Sequence, residues 1–586
     1  MTLSPPFLNV ACSATGRLWT GPAAETDRLA EAVARDADLP LPLARILAAR
    51  GVGAADAAGF LDPRISALLP DPRTLRDMGV AAARFLRAVR GGERIAVFAD
   101  YDVDGGASAA LILTWLRAMG RDATLYIPDR IEEGYGPNVP AMAALAAAHD
   151  LILCVDCGTL SHDAVAAAGA ADVVILDHHL GGETLPPALA VVNPNRQDED
   201  GALSHLCAAS VVYLMLVEAN RLLREGGTTG PDLMAMLDLV ALATVADVAP
   251  LTGVNRAFVR QGLKVMALRD RPGLKALADV ARLDRAPTAY HLGFVLGPRV
   301  NAGGRIGAAD LGARLLATAD PHEAAALAER LDALNEERRA IEGAVREAAL
   351  AQAEARGLEG PLVWAAGAGW HPGVVGIVAA RLKEAANRPA VVIGIEGGEG
   401  KGSGRSVVGV DLGAAVQRLA AEGLLVRGGG HRMAAGLTVA AEGIEAAMAR
   451  LGELLARQGA GAPGPRELRL DGALMPGAAT PALIAELERA GPFGQGAPAP
   501  RFAFPDAAVA SVRRMGERHL KLRLTDGASG VVEAVAFGAF DGPLGVFLAA
   551  RQGRRIHAAG RLDLNHWQGR TTVQLHLDDA ADPASG

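Results

Sequence analysis

The sequence predicts a multidomain α/β protein: a parallel-sheet domain, a long connector helix, a smaller second α/β domain, and a C-terminal β-barrel. Three patterns point there. Short, nearly continuous apolar runs alternate with helical stretches between residues 94 and 193, as strands buried on both faces do. A highly charged segment at 321–356 repeats apolar residues at helical steps. Beyond residue 466 the apolar positions alternate singly in several short runs.

Residues 28–92 read as short helices broken by turns at Asp62-Pro63 and Pro70-Asp71-Pro72. Strands follow at 94–100, 123–129, 151–156, 172–177 and 190–193, with helices at 107–119 and 137–148 between them. Helices of that length joining apolar strands imply a parallel sheet covered on both faces. Residues 201–316 are mostly helical by spacing. In the connector, Leu327, Leu331, Leu334, Ile341, Val345 and Ala348 form the apolar stripe. Strands at 362–366 and 390–395 restart an α/β pattern that ends near Gln458, and GAGAPGP at 459–465 is a linker by composition. HLKLRL (519–524), VVEAVAF (531–537), RIHAAGRLDL (555–564) and TTVQLHL (571–577) supply the barrel. The expected division is 1–75, 76–320, 321–357, 358–458 and 466–580.

A chain of 586 residues accommodates about three to five domains. Its 50% hydrophobic content excludes a mostly disordered chain, and its 70 Gly show no three-residue period. The longest uncharged apolar run, 206–217, falls short of the roughly 18 residues of a membrane span. Residues 1–10 lack a basic stretch before an apolar one, and four Cys cannot form a disulfide framework. The expectation is a cytoplasmic protein with no membrane partner. A net charge of −8 argues on its face against nucleic acid. Acids that serve as metal ligands, however, count against that total while being neutralised in place.

The chemistry gathers at strand ends. The first strand ends at Asp100-Tyr-Asp102-Val-Asp104-Gly105, the third at Asp156, the fourth at Asp177-His178-His179. Asp247 follows another apolar helical stretch. Carboxyl ends of parallel strands share one edge, so these residues converge on one crevice. A lone Asp at a strand end is more often a helix cap; acids at several strand ends together point elsewhere. Packed carboxylates repel unless cations sit between them. Oxygen ligands with one or two imidazoles favour Mg²⁺ or Mn²⁺ over zinc and suit a two-ion clamp on a phosphodiester. Asp100–Gly105 begins like an EF-hand loop, but Leu111 stands where Glu is needed and a strand precedes it. Cys154 and Cys157 have no second pair, and a strand would point the two thiols oppositely, so both are expected as core residues. Trp370-His-Pro-Gly373-Val-Val-Gly376 opens a helix after a strand like a dinucleotide turn, without the acidic ribose partner.

DYDVDG at 100–105, VDCG at 155–158, DHH at 177–179 and TVADV at 244–248 resemble motifs of the DHH phosphoesterase superfamily. PDRIEEGYG (128–136), RVNAGGRIG (299–307), GSGRS (402–406), GGGHRMAAG (428–436) and GPFGQGAPAP (491–500) resemble the RecJ-type single-strand-specific 5′-exonucleases within it. The resemblance covers nearly the whole chain in the same order. It implies a DHH domain, a DHHA1 domain and a terminal OB-fold. It further implies degradation of single-stranded DNA from the 5′ end to mononucleotides in DNA repair and recombination. Two Mn²⁺ or Mg²⁺ ions are the implied cofactors, held by Asp100, Asp102, Asp104, Asp156, His178 and Asp247. Asp156 would bridge the ions, and His179 would touch the scissile phosphate or support the second ion. Catalysis would fall to Asp102, Asp104, Asp156, His178 and His179. Arg130 and Tyr135 would contact the strand near the cleavage point. Ser403, Arg405, Ser406 and His431, joined by Arg305 from the first lobe, would grip the 5′-phosphate. Single-strand-binding protein and other repair factors are further candidate partners. The alternatives are another DHH enzyme, an oligoribonuclease or phosphatase, and a non-catalytic single-strand-binding scaffold.

The C-terminal region reverses the overall charge. Between residues 511 and 576 stand ten Lys or Arg against five acids. With Phe537, Phe540 and Trp567 nearby, that suits a groove that tracks a phosphate backbone and stacks bases.

Overall fold

In the computed structural model, residues 5–129, 133–461, 466–527, 529–567 and 570–583 are described. The first sheet runs Thr124–Tyr126, Ile95–Ala99, Leu151–Val155, Asp172–Leu176, Ala190–Val192, with every pair parallel. Alternate residues feed two cores. Ile95, Val97, Leu151, Leu153 and Val174 pack with helices Met78–Gly91, Val103–Ala118 and Ala208–Glu225. Ala96, Phe98, Ile152, Cys154 and Ile175 pack with helices Val139–Ala148 and His162–Ala166. The chain leaves the Ile95 strand toward one edge and returns on its other side at Leu151. That reversal opens a crevice at the strands' carboxyl ends, where ligands of such sheets bind.

The connector helix is Pro321–Arg356, capped by Asp320, whose carboxylate accepts from His322 N–H. Its 36 residues extend about 54 Å. Ala324, Leu327 and Leu331 enter the core of the first lobe, and Val345, Ala349 and Ala353 that of the second. Ala348, expected on the stripe, is exposed. The four-residue steps 345, 349 and 353 follow the helix's 3.6-residue period more closely over this stretch. The second lobe's sheet runs Arg427–His431, Ala434–Ala440, Glu399–Arg405, Ala390–Glu396, Val363–Ala368. Among the described residues no helix is long and apolar enough to cross a membrane.

The C-terminal strands Phe502–Met515, His519–Thr525, Val531–Ala536, Arg570–Ala581 and Arg555–Trp567 pair in that order, and the last closes on the first. The result is a five-stranded barrel, whose closure removes free sheet edges. The Phe502 strand escapes the sequence reading because Pro505-Asp506 interrupts it. There the register shifts between Phe504 and Ala507, and Asp506 takes φ 47°. Proline is tolerated in a strand at such a bulge. The N-terminal segment 1–75, expected to be helical, also contains a strand. Arg17–Thr20 pairs parallel with Arg466–Arg469, too short a strand to leave a pattern. Val33, Leu43, Leu47 and Leu61 from the N-terminal helices share one core with the barrel's Phe502 and Phe504.

The reading of the two cysteines is corrected as well. Cys154 and Cys157 are both buried, but their thiols enter the same core. Cys157 lies past the strand end, and the left-handed φ of Asp156 (60°) turns the chain back between them.

Candidate functional site

The DYDVDG segment joins the Ile95 strand to the Val103–Ala118 helix with no spare residue. Asp102 caps the helix, its Oδ1 accepting from the N–H groups of Asp104 (2.8 Å) and Gly105 (3.1 Å). The helix therefore starts four residues before the expected 107. Gly105 is required by proximity: a Cβ there would lie 2.4 Å from the Asp100 carbonyl oxygen. Val103 N–H donates to Asn301 Oδ1 at 3.0 Å, and the ring of Tyr101 fills the space a Cβ on Gly304 would take. Asp104, 1% exposed, accepts from Ala208 N–H (2.7 Å) and Ala209 N–H (2.8 Å) at the N-terminus of a helix more than 100 residues away.

Asp156 is 2% exposed, and its Oδ1 accepts no hydrogen bond. His178 Nε2 lies 3.3 Å from that oxygen, 3.6 Å from Asp104 Oδ2 and 3.8 Å from Asp247 Oδ2. Three overlapping groups offer ligand atoms within 4.8 Å of one another: Asp100, Asp102 and Asp156; Asp104, His178 and Asp247; Asp156, His178 and His179. Burial, then the neighbouring acids, push the Asp156 carboxyl well above its ordinary range. The same causes push Asp247 up to about 9, and burial raises Asp104. Such a set of carboxylates stays ionised together only with cations among them. Hard oxygens with imidazole nitrogen fit Mn²⁺ or Mg²⁺.

Asp177 does a different job. It accepts from Thr159 Oγ1 (2.6 Å), Thr159 N–H (3.1 Å), His178 N–H (2.7 Å), His179 N–H (3.1 Å) and His179 Nδ1 (2.8 Å). Burial opposes ionisation here, but these donors win and hold the carboxyl well below its usual range. In return, although burial lowers it, the His179 imidazole is raised to about 9 by Asp177. Fully buried Asn193 donates to Thr159 Oγ1 and to the His179 carbonyl, both at 2.8 Å, and Asn195 donates to the His178 carbonyl at 2.6 Å. The sequence reading passes over Thr159, Asn193 and Asn195. The one signal was the Asn-Pro-Asn at the end of the fifth strand. Tyr135 hydroxyl donates to the Asp156 carbonyl at 3.1 Å and lies 3.1 Å from His179 Nε2.

In the second lobe Ser403, Arg405 and the start of a helix come together. Ser403 and Arg405 project from one face of the Glu399–Arg405 strand, and Arg405 Nη1 donates to Ser403 Oγ at 3.0 Å. Both side chains crowd Gly376 on the Pro372–Ala386 helix, where a Cβ would lie 3.0 Å from Ser403 Oγ and 3.1 Å from Arg405 Nη2. Arg305 reaches the same helix end and donates to the Gly373 carbonyl at 3.1 Å. Helix N-termini attract anions. The WHPGVVG run, read only as a dinucleotide-like turn, is what supplies this helix start. His431 and Arg405 both register against Ala434, two strands apart on one face of the sheet. Ser406 is set apart: it is 1% exposed and its hydroxyl donates to the Val410 carbonyl at 2.9 Å. Arg130 lies outside the described residues.

Models of three families match the chain: the DHH family N-terminal domain over residues 94–244, the DHHA1 domain over 359–457, and the RecJ OB domain over 470–579. The single-stranded-DNA-specific exonuclease RecJ of Salmonella typhimurium is 37% identical over 578 residues, covering 95% of this chain and 98% of that one. This chain belongs to the RecJ family. RecJ of Escherichia coli is 36% identical over 566 residues, 93% of this chain and 96% of the relative. The crystal structure of Thermus thermophilus RecJ in complex with Mn²⁺ superposes with a TM-score of 0.81 at 32% identity, covering 96% of this chain and 79% of that one.

In this RecJ-family chain the barrel aromatics separate. Phe537 is 55% exposed, with His519 and His576 edge-on to it at 5.4 and 5.2 Å. Phe540 packs against the barrel core beneath Arg514, whose guanidinium lies 4.0 Å from the ring centre. The Trp567 side chain lies outside the described residues.

Proposed function

We propose that this chain hydrolyses single-stranded DNA from its 5′ end to mononucleotides, with two Mn²⁺ or Mg²⁺ ions held by Asp100, Asp102, Asp104, Asp156, His178 and Asp247. One observation carries the reading: the Asp156 carboxylate is buried, one oxygen accepts no hydrogen bond, and it belongs to two of the three overlapping ligand groups. That position suits a bridging role. Bound there, divalent ions neutralise a phosphodiester and lower the pKa of water. The chain's own residues do the rest. Asp102 and Asp104 are fixed by backbone donors before any substrate arrives, so their geometry costs nothing at the moment of reaction. His178, with its side chain 17% exposed and facing three carboxylates, suits an ion ligand. His179, 45% exposed with Nδ1 committed to Asp177, suits a contact to the scissile phosphate.

Ser403, Arg405, Arg305, His431 and the start of the Pro372–Ala386 helix grip the 5′-terminal phosphate in this reading, while Ser406 shapes the loop and Arg130 and Tyr135 meet the strand near the cut. Residues 76–320 hydrolyse, 321–357 space the lobes, 358–458 grip, and 466–580 hold the trailing strand, with 1–75 bracing the barrel. The same reading puts the chain in DNA repair and recombination in the cytoplasm, beside a single-strand-binding protein and other repair factors. The test is a time course on 3′-labelled strands carrying 5′-phosphate or 5′-hydroxyl, with duplex and RNA controls, with and without MnCl₂. Successively shorter 3′-labelled fragments from single strands only are expected. Asp156→Ala should abolish cleavage and retain strand binding; normal turnover in that variant defeats the reading.

A further inference from the structure

Where the N-terminal helices, the catalytic lobe and the approach to the barrel meet, a cavity of about 950 Å³ opens away from the metal ligands. Its size suits a small organic ligand. One wall belongs to the helices Leu41–Ala49, Ala54–Leu61 and Ile65–Leu68. A second is Leu251–Gly253, which leads from Asp247 into the helix Gly253–Ala267. The third is Gly496–Arg501, just ahead of the Phe502 strand, with Arg469 and Asp471 beside it. Leu251 N–H donates to the Gln495 carbonyl at 2.8 Å, so the segment after Asp247 and the barrel approach are tied at this cavity.

The walls carry uncompensated positive charge. Five arginines face three aspartates, an excess of two. Asp62 pairs with Arg64 at 2.8 Å, and Asp471 accepts from the Arg501 N–H at 2.9 Å. Among the described residues, Arg50 and Arg256 donate to carbonyls alone. Arg50 reaches those of Ala490 and Pro498, both at 2.9 Å. Arg256 Nη2 reaches those of Gly491 (2.9 Å), Ala490 (3.1 Å) and Phe60 (3.2 Å). Arg256 is 3% exposed, its Nε and Nη1 find no acceptor, and its guanidinium lies 3.8 Å from the Phe60 ring centre. A buried cation without a carboxylate is costly until an anion meets it. Burial lowers both guanidinium groups to about 10. Arg469 is exposed and, among the described residues, joins no ion pair. The 15-residue helix Gly253–Ala267 begins on the same cavity, and Thr252 at its N-cap makes no side-chain capping bond. A helix start beside arginines suits a phosphate group, which guanidinium forks hold bidentately.

We propose that this cavity binds a mononucleotide, its phosphate toward the arginines and its base against the apolar wall of Ile46, Leu68, Leu251 and Pro498, and that the bound nucleotide braces the joint behind Asp247. An excess of two positive charges matches one phosphate monoester. The choice of a mononucleotide rests on the exonuclease reading above, in which such molecules are the product. A peptide is less suited: Pro498 and Pro500 have no N–H with which to pair an extended chain.

The test is calorimetric titration of the full-length protein with dTMP. EDTA strips ions from the metal cluster, and an Arg405→Ala background opens the cradle formed by Ser403 and Arg405. One dTMP per chain is expected, with a melting temperature that climbs with dTMP concentration. Thymidine, which lacks the phosphate, should bind at least about tenfold more weakly. Arg469→Glu should weaken dTMP binding about tenfold, and Leu68→Trp, which fills the cavity from its rim, should remove it. If Leu68→Trp fails to fold, the exposed Arg469→Glu still decides. Absence of dTMP binding, binding that neither substitution moves, or equal binding of thymidine overturns the site. Binding of an alternating Asp/Phe peptide in place of dTMP, lost in the same variants, also overturns it and gives the cavity to an acidic protein partner. Protein that binds dTMP here but degrades no strand refutes the exonuclease reading alone. Protein that degrades single strands but binds no dTMP here refutes the cavity site alone.

Discussion

Gly105→Ala tests whether the metal centre depends on the tight join between strand and helix. A Cβ at residue 105 would lie 2.4 Å from the Asp100 carbonyl oxygen and 2.8 Å from the Asp100 carbonyl carbon and nitrogen. All three atoms are backbone, so no side chain can rotate away. Relief to ordinary contact requires the helix start to retreat by about 1 Å, at a cost of about 1–3 kcal/mol, partly offset by alanine's better helix propensity. That retreat displaces Asp102 and pulls Asp104 against its bonds to Ala208 and Ala209 N–H. A displacement of that size at reacting groups lowers turnover about 10²-fold. Gly106→Ala is the matched control: its Cβ would meet Ala313 Cα and N at 3.4 Å, ordinary contact. The assay is single-turnover cleavage of a 5′-phosphorylated single strand, with MnCl₂ titration calorimetry and thermal melting on both variants. The reasoning fails if Gly105→Ala keeps wild-type turnover and Mn²⁺ affinity, or if Gly106→Ala loses as much.

Three further outcomes are expected. In a chelator, the raised carboxyl of Asp247 means the folded chain keeps a proton that the unfolded chain releases; its stabilising share is present below about pH 4 and is lost as pH climbs to about 9. Asp247→Asn should therefore gain melting temperature relative to wild type as pH rises from about 5 to 9, and a constant difference in calorimetry refutes this. Asn193→Ala removes the donor to the Thr159 hydroxyl and the His179 carbonyl and leaves Asn195 N–H without its acceptor; it should cost about 2–3 kcal/mol in urea melts, with a fall in kcat larger than any change in KM. Gly376→Ala places a methyl between Ser403 and Arg405 and should raise KM about tenfold for 5′-phosphorylated strands while changing 5′-hydroxyl strands less; equal effects on both would show that the cradle does not read the terminal phosphate.

Much of this protein is written in local pattern. Apolar runs of strand length, each ending in Asp100, Asp156 or Asp177, follow from the period of two, and the 321–356 stripe from the period of 3.6; both depend only on neighbours a few residues apart. The convergence of those acids then follows from the parallel sheet. Contacts between distant segments left no such mark. Nothing near Asp104 announces that the N–H groups of Ala208 and Ala209 will hold it. Nothing separates Asp177, which orients His179, from its neighbour His178, which faces three carboxylates. Asn193 reads only as the last residue of the 190–193 strand until the fold brings it against the Thr159 hydroxyl. Tyr290 and Phe294 have the spacing of a buried helical stripe, yet both rings are exposed while their helix packs inward through Gly293 on Val245 and Gly297 on Ala246. Sequence period fixes which way a side chain points relative to its own element; what it then meets depends on how elements far apart in the chain close on one another, because burial and hydrogen bonding are satisfied only in three dimensions.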